Sequence, residues 1–435
     1  MKDPVIASES AGGAEAHPAL DASSSAPVGS SVATKRIALS VGIASAICMG
    51  LGMAPLFFGT FPLFLLPVSR EFGWGAAIFP QSIMIAGCVG ALMGPVIGRC
   101  IDALGVRKVM LPGLLLWATS LFCMSYIGGS IPLLYVICVV LGVSAACCGP
   151  IALAKVISGW FDRQRGLVLN LALSAAPAVS TATLLVLTRY LIETGGWQVG
   201  YRVLAAIVIV VTLPTCYFFI REAPPASMVT PQGGLAPSGG IRPSAALRSR
   251  AFWSVTGGSM LICAAANALF GHFVAWSAER GIDAGSASIA LTLFSLAGPI
   301  GSVLTGALAD RASNPRALAL IFMLPLVGEA LFFFGGHRLA IPALALVGGG
   351  FNAVAGLIPF FTARYFGLAH ASTIFGVALG LLTLSLGLGP VLLGVARDTS
   401  GAYGPAAPVL MGCLIVGTLM IASLPRYPSR VTPPT

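Results

Sequence analysis

Eight stretches of this chain, residues 37–69, 72–98, 166–188, 203–220, 251–278, 284–309, 365–396 and 399–425, contain no Asp, Glu, Lys or Arg. Uncharged runs of that length decide the solvent. Crossing ~30 Å of hydrocarbon takes about 20 apolar residues as helix. Inside hydrocarbon only a helix or a closed barrel satisfies every backbone N–H and C=O. Two further stretches are each long enough for two helices. Residues 109–154 are uncharged and break at Gly128-Gly129-Ser130-Ile131-Pro132. Residues 317–363 carry only Glu329 and Arg338 as charges and break at Gly335-Gly336-His337-Arg338. Gly and Pro clusters of this kind mark turns. The expectation is an all-α integral membrane protein of twelve transmembrane helices.

Composition points the same way. Of the 435 residues, 57% are hydrophobic and 9% charged, whereas a soluble chain carries roughly 25% charged residues to hydrate its surface. The apolar excess must therefore face lipid. The net charge of +10 is no nucleic-acid footprint, because Lys and Arg recur in short groups between the uncharged runs instead of forming one patch. The ten cysteines, Cys48 to Cys413, sit in or beside apolar runs, with no Cys-x-x-Cys pair. They read as small apolar contacts, and no metal or other cofactor is expected.

Basic residues orient the chain. With the N-terminus in the cytoplasm, Arg70, Arg189, Arg202, Arg280, Arg338 and Arg397 lie outside and the other 18 of the 24 Lys and Arg lie inside; the reverse orientation would invert that bias. The expected location is the cytoplasmic (inner) membrane, with both termini cytoplasmic. Residues 1–36 lack the apolar core of a signal peptide and read as a disordered cytoplasmic tail. Residues 222–250, rich in Pro, Gly and Ser, read as a flexible cytoplasmic linker between bundles at 37–221 and 251–425, with a second tail at 426–435.

The two bundles echo each other. Glu71 precedes Asp102 by 31 residues and Glu279 precedes Asp310 by 31; Trp160-Phe161 matches Tyr365-Phe366 at an offset of 205, as Glu193-Thr194-Gly195-Gly196 matches Asp398-Thr399-Ser400-Gly401. Several matches at nearly constant offset indicate an internal repeat. The expected architecture is thus two pseudo-symmetric six-helix bundles around a central site.

Between the second and third spans stands Gly94-Pro95-Val96-Ile97-Gly98-Arg99-Cys100-Ile101-Asp102-Ala103-Leu104-Gly105-Val106-Arg107-Lys108. A weaker copy, Gly306-Ala307-Leu308-Ala309-Asp310-Arg311 with Arg316 beyond it, lies at the matching place in the second half. An acid at a helix end can pair with bases and a helix terminus in one conformation and release them in another, which makes a gate. The motif resembles the cytoplasmic loop signature of the major facilitator superfamily, and that resemblance extends over residues 37–425. It implies the two-bundle fold of a secondary transporter, not an enzyme, with gating residues Gly98, Arg99, Asp102, Gly105, Arg107, Lys108, Gly306, Asp310, Arg311 and Arg316.

Small-residue stripes add to this. Gly87, Gly90, Gly94 and Gly98 share one face of the second span; Asn170, Ser174, Pro177 and Thr181 one face of the fifth; Thr292, Ser295, Pro299 and Ser302 one face of the eighth; Gly376, Gly380, Thr383, Gly387, Pro390 and Gly394 one face of the eleventh. Such faces let helices approach closely. In the superfamily these spans pair across the halves, where rocking occurs.

Polar side chains within spans are costly and mark solute paths. The candidates for solute contact are His272 and Asn267 in span seven, Asn352 in span ten, Asn170 in span five and Lys155 near the inner end of span four. His272 and Asn267 lie five apart, a spacing a regular helix does not bring to one face. His272 and Glu329 are the candidates for proton coupling, although span nine, which carries Glu329, is expected to be peripheral.

Phe72-Gly73-Trp74, Trp160-Phe161-Asp162-Arg163-Gln164-Arg165-Gly166 and Ala363-Arg364-Tyr365-Phe366-Gly367 look like loop features of bacterial monocarboxylate and oxalate–formate carriers. Carriers of that branch often hold the carboxylate with a base in span eight or eleven, yet residues 284–309 and 365–396 contain no Lys or Arg. The leading expectation is a monomeric carrier of a small organic anion, a monocarboxylate, driven by protons or exchange. Nothing of the form GxxxxGK[ST] supports direct ATP use. Two alternatives remain open: an exporter of an uncharged or hydrophobic compound, and a membrane solute sensor that does not transport.

Overall fold

The computed structural model describes residues 32–161, 168–169, 171–222, 241–311, 315–335, 337–366 and 371–425. Twelve long helices lie among them. They are α1 (Arg36–Phe72), α2 (Ile78–Leu104), α3 (Val106–Met124), α4 (Ile131–Trp160), α5 (171–195) and α6 (197–219). The second six are α7 (Arg250–Glu279), α8 (Ala284–Arg311), α9 (Leu318–Phe334), α10 (Ala340–Phe366), α11 (Ala371–Ser400) and α12 (Ala407–Ala422).

The helices run past the limits that charge alone suggests. α2 continues through Arg99 and Asp102 to Leu104, because a charge at a helix end can leave the hydrocarbon without ending the hydrogen-bond ladder. Between α5 and α6 the expected loop at 189–202 is absent. The helix runs on and turns only at Gly196, whose φ of 83° is open to glycine without strain. π-helical turns occupy Ala54–Gly59 in α1, Leu171–Ala175 in α5 and Val208–Thr212 in α6. Each contains Pro or precedes one within two residues (Pro55, Pro177, Pro214), and proline's missing N–H and its clash with the i−4 carbonyl widen the turn. Part of the expected linker is ordered as well: Pro243–Leu247 forms a short helix, and the Ile241 amide donates to the Phe366 carbonyl at 3.0 Å.

Helix neighbours repeat when the helix number rises by six. α2 packs on α4 and α8 on α10; α1 packs on α5 and α7 on α11; α3 packs on α6 and α9 on α12. The glutamates of the sequence repeat do matching jobs. Glu71 accepts from Trp197 Nε1 at the start of α6 (2.5 Å), and Glu279 accepts from the Tyr403 amide just before α12 (3.1 Å). Each therefore ties the first helix of its half to the last. Close packing is tightest between α8 and α10, where a Cβ at Gly301 would run into the Gly349 carbonyl and one at Gly348 into that of Phe294. Large apolar side chains stand outward and exposed, among them Val186, Val210, Leu320 and Phe334, a surface suited to lipid and not to water.

The halves meet along α2–α11 and α5–α8. α2 and α11 run antiparallel and pack closely toward the end that carries Glu71. There Gly387 faces Met84, and Gly394 faces the Ala76–Ala77 backbone. Toward the Asp102 end, Gly98, Gly376 and Gly380 have open space where a Cβ would stand. The two halves are thus closed at the Glu71 end and splayed at the Asp102 end.

Candidate functional site

The splayed halves enclose a cavity of about 580 Å³, within the range of small-molecule sites. Its walls come from both halves. α1 supplies Phe58 and Phe61, α2 Met84 and Gly87, and α5 Ser174 and Thr181. From the other half come Asn267 and Phe270 of α7, Phe294 and Ser295 of α8, Phe351 and Asn352 of α10, and Thr383 and Leu386 of α11. Phe270, Phe294 and Phe351 form a continuous aromatic wall, with ring centroids 4.6 and 5.6 Å apart. No Asp, Glu, Lys, Arg or His is among the described lining residues.

Proline positions one of the polar groups. Pro390 cannot donate to the carbonyl four residues back, so Leu386 O is left without its ladder partner. Asn267 Nδ2 fills that gap at 2.6 Å, tying α7 to α11 in the cavity wall. Asn352 Nδ2 donates to Gly348 O of its own helix at 3.1 Å.

The structure brings Asn267 and Asn352 together and separates the other candidates from them. His272 is fully buried behind the wall, with Nε2 donating to Pro390 O (2.9 Å) and Nδ1 2.8 Å from the Tyr403 hydroxyl. Both ring nitrogens are occupied, and the ring does not line the cavity; the five-residue spacing from Asn267 turns it away. Lys155 also lies elsewhere. Its Nζ is 2.7 Å from Asp102 Oδ1 and 3.4 Å from the Ile101 carbonyl, at the splayed end. Glu329 in α9 is fully buried, and neither carboxylate oxygen has a partner among the described residues. Asn170 lies outside the described residues.

The loop motif is anchored within its own half. Gly105, at φ 90°, swings the chain from α2 into α3, and Glu222 Oε1 takes the Val106 amide at 2.7 Å. Arg107 donates to the Tyr217 carbonyl and stands 4.7 Å over the Tyr217 ring, while Arg99 and Lys108 are exposed. The Asp102–Lys155 pair likewise stays inside the first half. In the second copy the surroundings of Gly306 and the side chains of Asp310 and Arg311 lie outside what the structure describes, and Arg316 Nε sits 3.5 Å from the Leu424 carbonyl.

The closed end holds a contact that motif reading missed. Asp398, at the end of α11, accepts from the amides of Ala76 (2.8 Å) and Ala77 (3.2 Å) at the start of α2. The repeat explains why. α8 is capped by its own Asp283, which takes the Ser286 amide at 2.9 Å and its hydroxyl at 2.6 Å; these bonds hold the Asp283 carboxyl below its usual range. The equivalent position before α2, by the Glu71–Glu279 offset, is Gly75, which has no side chain to cap with. A carboxylate from the other half fills the place, favoured by the positive end of the helix. The signal was a glycine where the partner repeat has an aspartate.

The chain matches the Major Facilitator Superfamily over residues 43–390. The chain belongs to that superfamily. Among curated relatives, this transporter is 24% identical over 260 residues to the MFS-type transporter pytF of Aspergillus terreus, covering 58% of this chain and 82% of that one. It is 23% identical over 362 residues to human monocarboxylate transporter 10, covering 77% and 67%. It is 25% identical over 209 residues to an uncharacterized MFS-type transporter, YcxA, of Bacillus subtilis, and spans about half of that protein, 47% of each. Among solved structures, a bacterial homolog of the human lysosomal transporter Spinster, in an inward-facing and unoccupied conformation, superposes with a TM-score of 0.65 at 14% identity, over 91% of this chain and 95% of that one. The transporter's twelve-helix, two-bundle fold and its membership of a non-enzymatic family stand on these matches together with the helix pattern.

Proposed function

We propose that this transporter moves a small, predominantly apolar, uncharged molecule across the membrane by rocking its two halves about the central cavity. The observation that carries the reading is the lining: five phenylalanines (58, 61, 270, 294 and 351) and no ionisable side chain among the described lining residues. A carboxylate moved into such a space would lose its hydration with no cation to replace it, a cost of several kcal/mol. Asn267 and Asn352 are the proposed solute contacts. The basic-residue bias supports a cytoplasmic Asp102 end, so the splayed state would open inward. In that frame the Asp102–Lys155 pair is the inward-open arrangement of the gate, and rocking would offer Asp102 to the second half.

A monocarboxylate is the second reading. It is favoured by the name of the human relative and by the loop features of the first subsection, and opposed by the cavity chemistry. Proteoliposome uptake of matched neutral and carboxylate compounds, with and without a proton gradient, separates the two. Saturable uptake of the neutral members alone is expected; uptake restricted to carboxylates would overturn the proposal.

A further inference from the structure

Resting on the proposed cavity as the solute site, we infer that the solute is a hydrogen-bond donor: an apolar, aromatic-sized molecule carrying N–H or O–H groups. What a lining side chain can offer depends on where its hydrogens already are. Backbone carbonyls only accept, so a side chain bonded to one must be donating, whichever way an amide or hydroxyl has been drawn.

Five polar side chains in the lining are bonded in this way. Asn267 Nδ2 donates to Leu386 O (2.6 Å) and Asn352 Nδ2 to Gly348 O (3.1 Å). Thr181 Oγ1 donates to Pro177 O (2.8 Å), Thr383 Oγ1 to Leu379 O (2.9 Å) and Ser295 Oγ to Leu291 O (3.2 Å). Each hydroxyl has spent its one hydrogen on its own helix. Among the described residues, each amide has its oxygen free and one N–H left. What these residues offer a solute is five oxygens with lone pairs against two residual N–H bonds. Ser174 is the one other hydroxyl side chain in the lining.

Chemistry follows from that imbalance. A solute N–H or O–H gains a hydrogen bond without breaking one already made. A carboxylate, which only accepts, must pull hydroxyls off their helix carbonyls before all its lone pairs are satisfied, giving up hydrogen bonds already made. The phenylalanine faces add to the bias, since they attract the positive edge of an N–H or an ammonium and repel anions.

The test uses the whole transporter in lipid nanodiscs and one ring system: indole, 1-methylindole, tryptamine and indole-3-propionate, with binding read by titration calorimetry. Indole is expected to bind roughly 3- to 10-fold more tightly than 1-methylindole, the worth of one hydrogen bond, and the propionate most weakly. Asn352→Leu should bring the indole to 1-methylindole ratio to near one. Its amide bonds only its own helix, so an unchanged melting profile separates lost recognition from misfolding. Equal binding of indole and 1-methylindole to the unaltered protein would overturn the donor inference and leave the apolar-solute proposal standing. Tightest binding of the propionate would overturn both. Failure of all four to bind at millimolar concentration would also overturn the inference, since a cavity of about 580 Å³ admits a bicyclic ring.

Discussion

Asp398→Ala should open the end of the transporter that the structure holds shut. The carboxylate makes two amide bonds across the seam. Fully buried, two charge-assisted bonds would be worth about 3–6 kcal/mol, whereas removing a helix cap in partly exposed settings costs about 0.5–2 kcal/mol. The Asp398 side chain is 30% exposed, and opening lets water reach the freed amides, so the smaller range governs. A loss of about 0.5–2 kcal/mol raises the ratio of open to closed at this end roughly 2- to 30-fold. Ser69 reports the change, because its hydroxyl is buried without a partner among the described residues, beside the closed seam. In a cysteine-free background, Ser69→Cys should react with an impermeant maleimide from the Glu71 side that many times faster once Asp398 is gone. Gly75→Ala should act in the same direction by another route, since a Cβ there would stand 2.6 Å from Asp398 Oδ2. Labelling rates within twofold of the parent in both variants would refute the capping argument.

Other substitutions separate structure from transport. His272→Ala removes two buried hydrogen bonds and should lower stability by about 1–3 kcal/mol while leaving solute affinity within twofold; a melting curve and a binding titration check both, and a large affinity loss would return His272 to the site. Lys155→Met breaks an ion pair whose partners are 35% and 75% exposed, so its effect on the melting temperature should be near zero, as for most surface pairs. Glu329→Gln keeps the shape and removes an ionisable group that has no partner among the described residues. Thermostability should hold or rise, and loss of proton-driven uptake in that variant would instead make Glu329 a proton carrier. Gly301→Val, set against the Gly349 carbonyl, should wedge α8 from α10 and abolish folded expression, read by size-exclusion chromatography.

Helix number and the two-fold repeat were legible in the sequence because they are local or periodic, whereas charge set the span limits poorly, since a helix continues through Arg99 and Asp102 and through 189–195. A stretch without charge needs only lipid to be helical, and a repeat shows itself by its offset. The same periodicity splits Asn267 from His272, since helical spacing alone decides which residues share a face. Even the stripes that bring α2 to α11 follow from steps of three and four.

Contacts between distant helices lay beyond that reach. Asp398 caps α2 from 322 residues away, Lys155 is drawn to Asp102 instead of the solute path, and the cavity's aromatic wall is assembled from three helices whose phenylalanines resemble any others in an apolar run. What the lining offers a solute depends on which hydrogens its side chains have already given to backbone carbonyls. Composition records that a donor exists; only the packed structure decides whether it is still free.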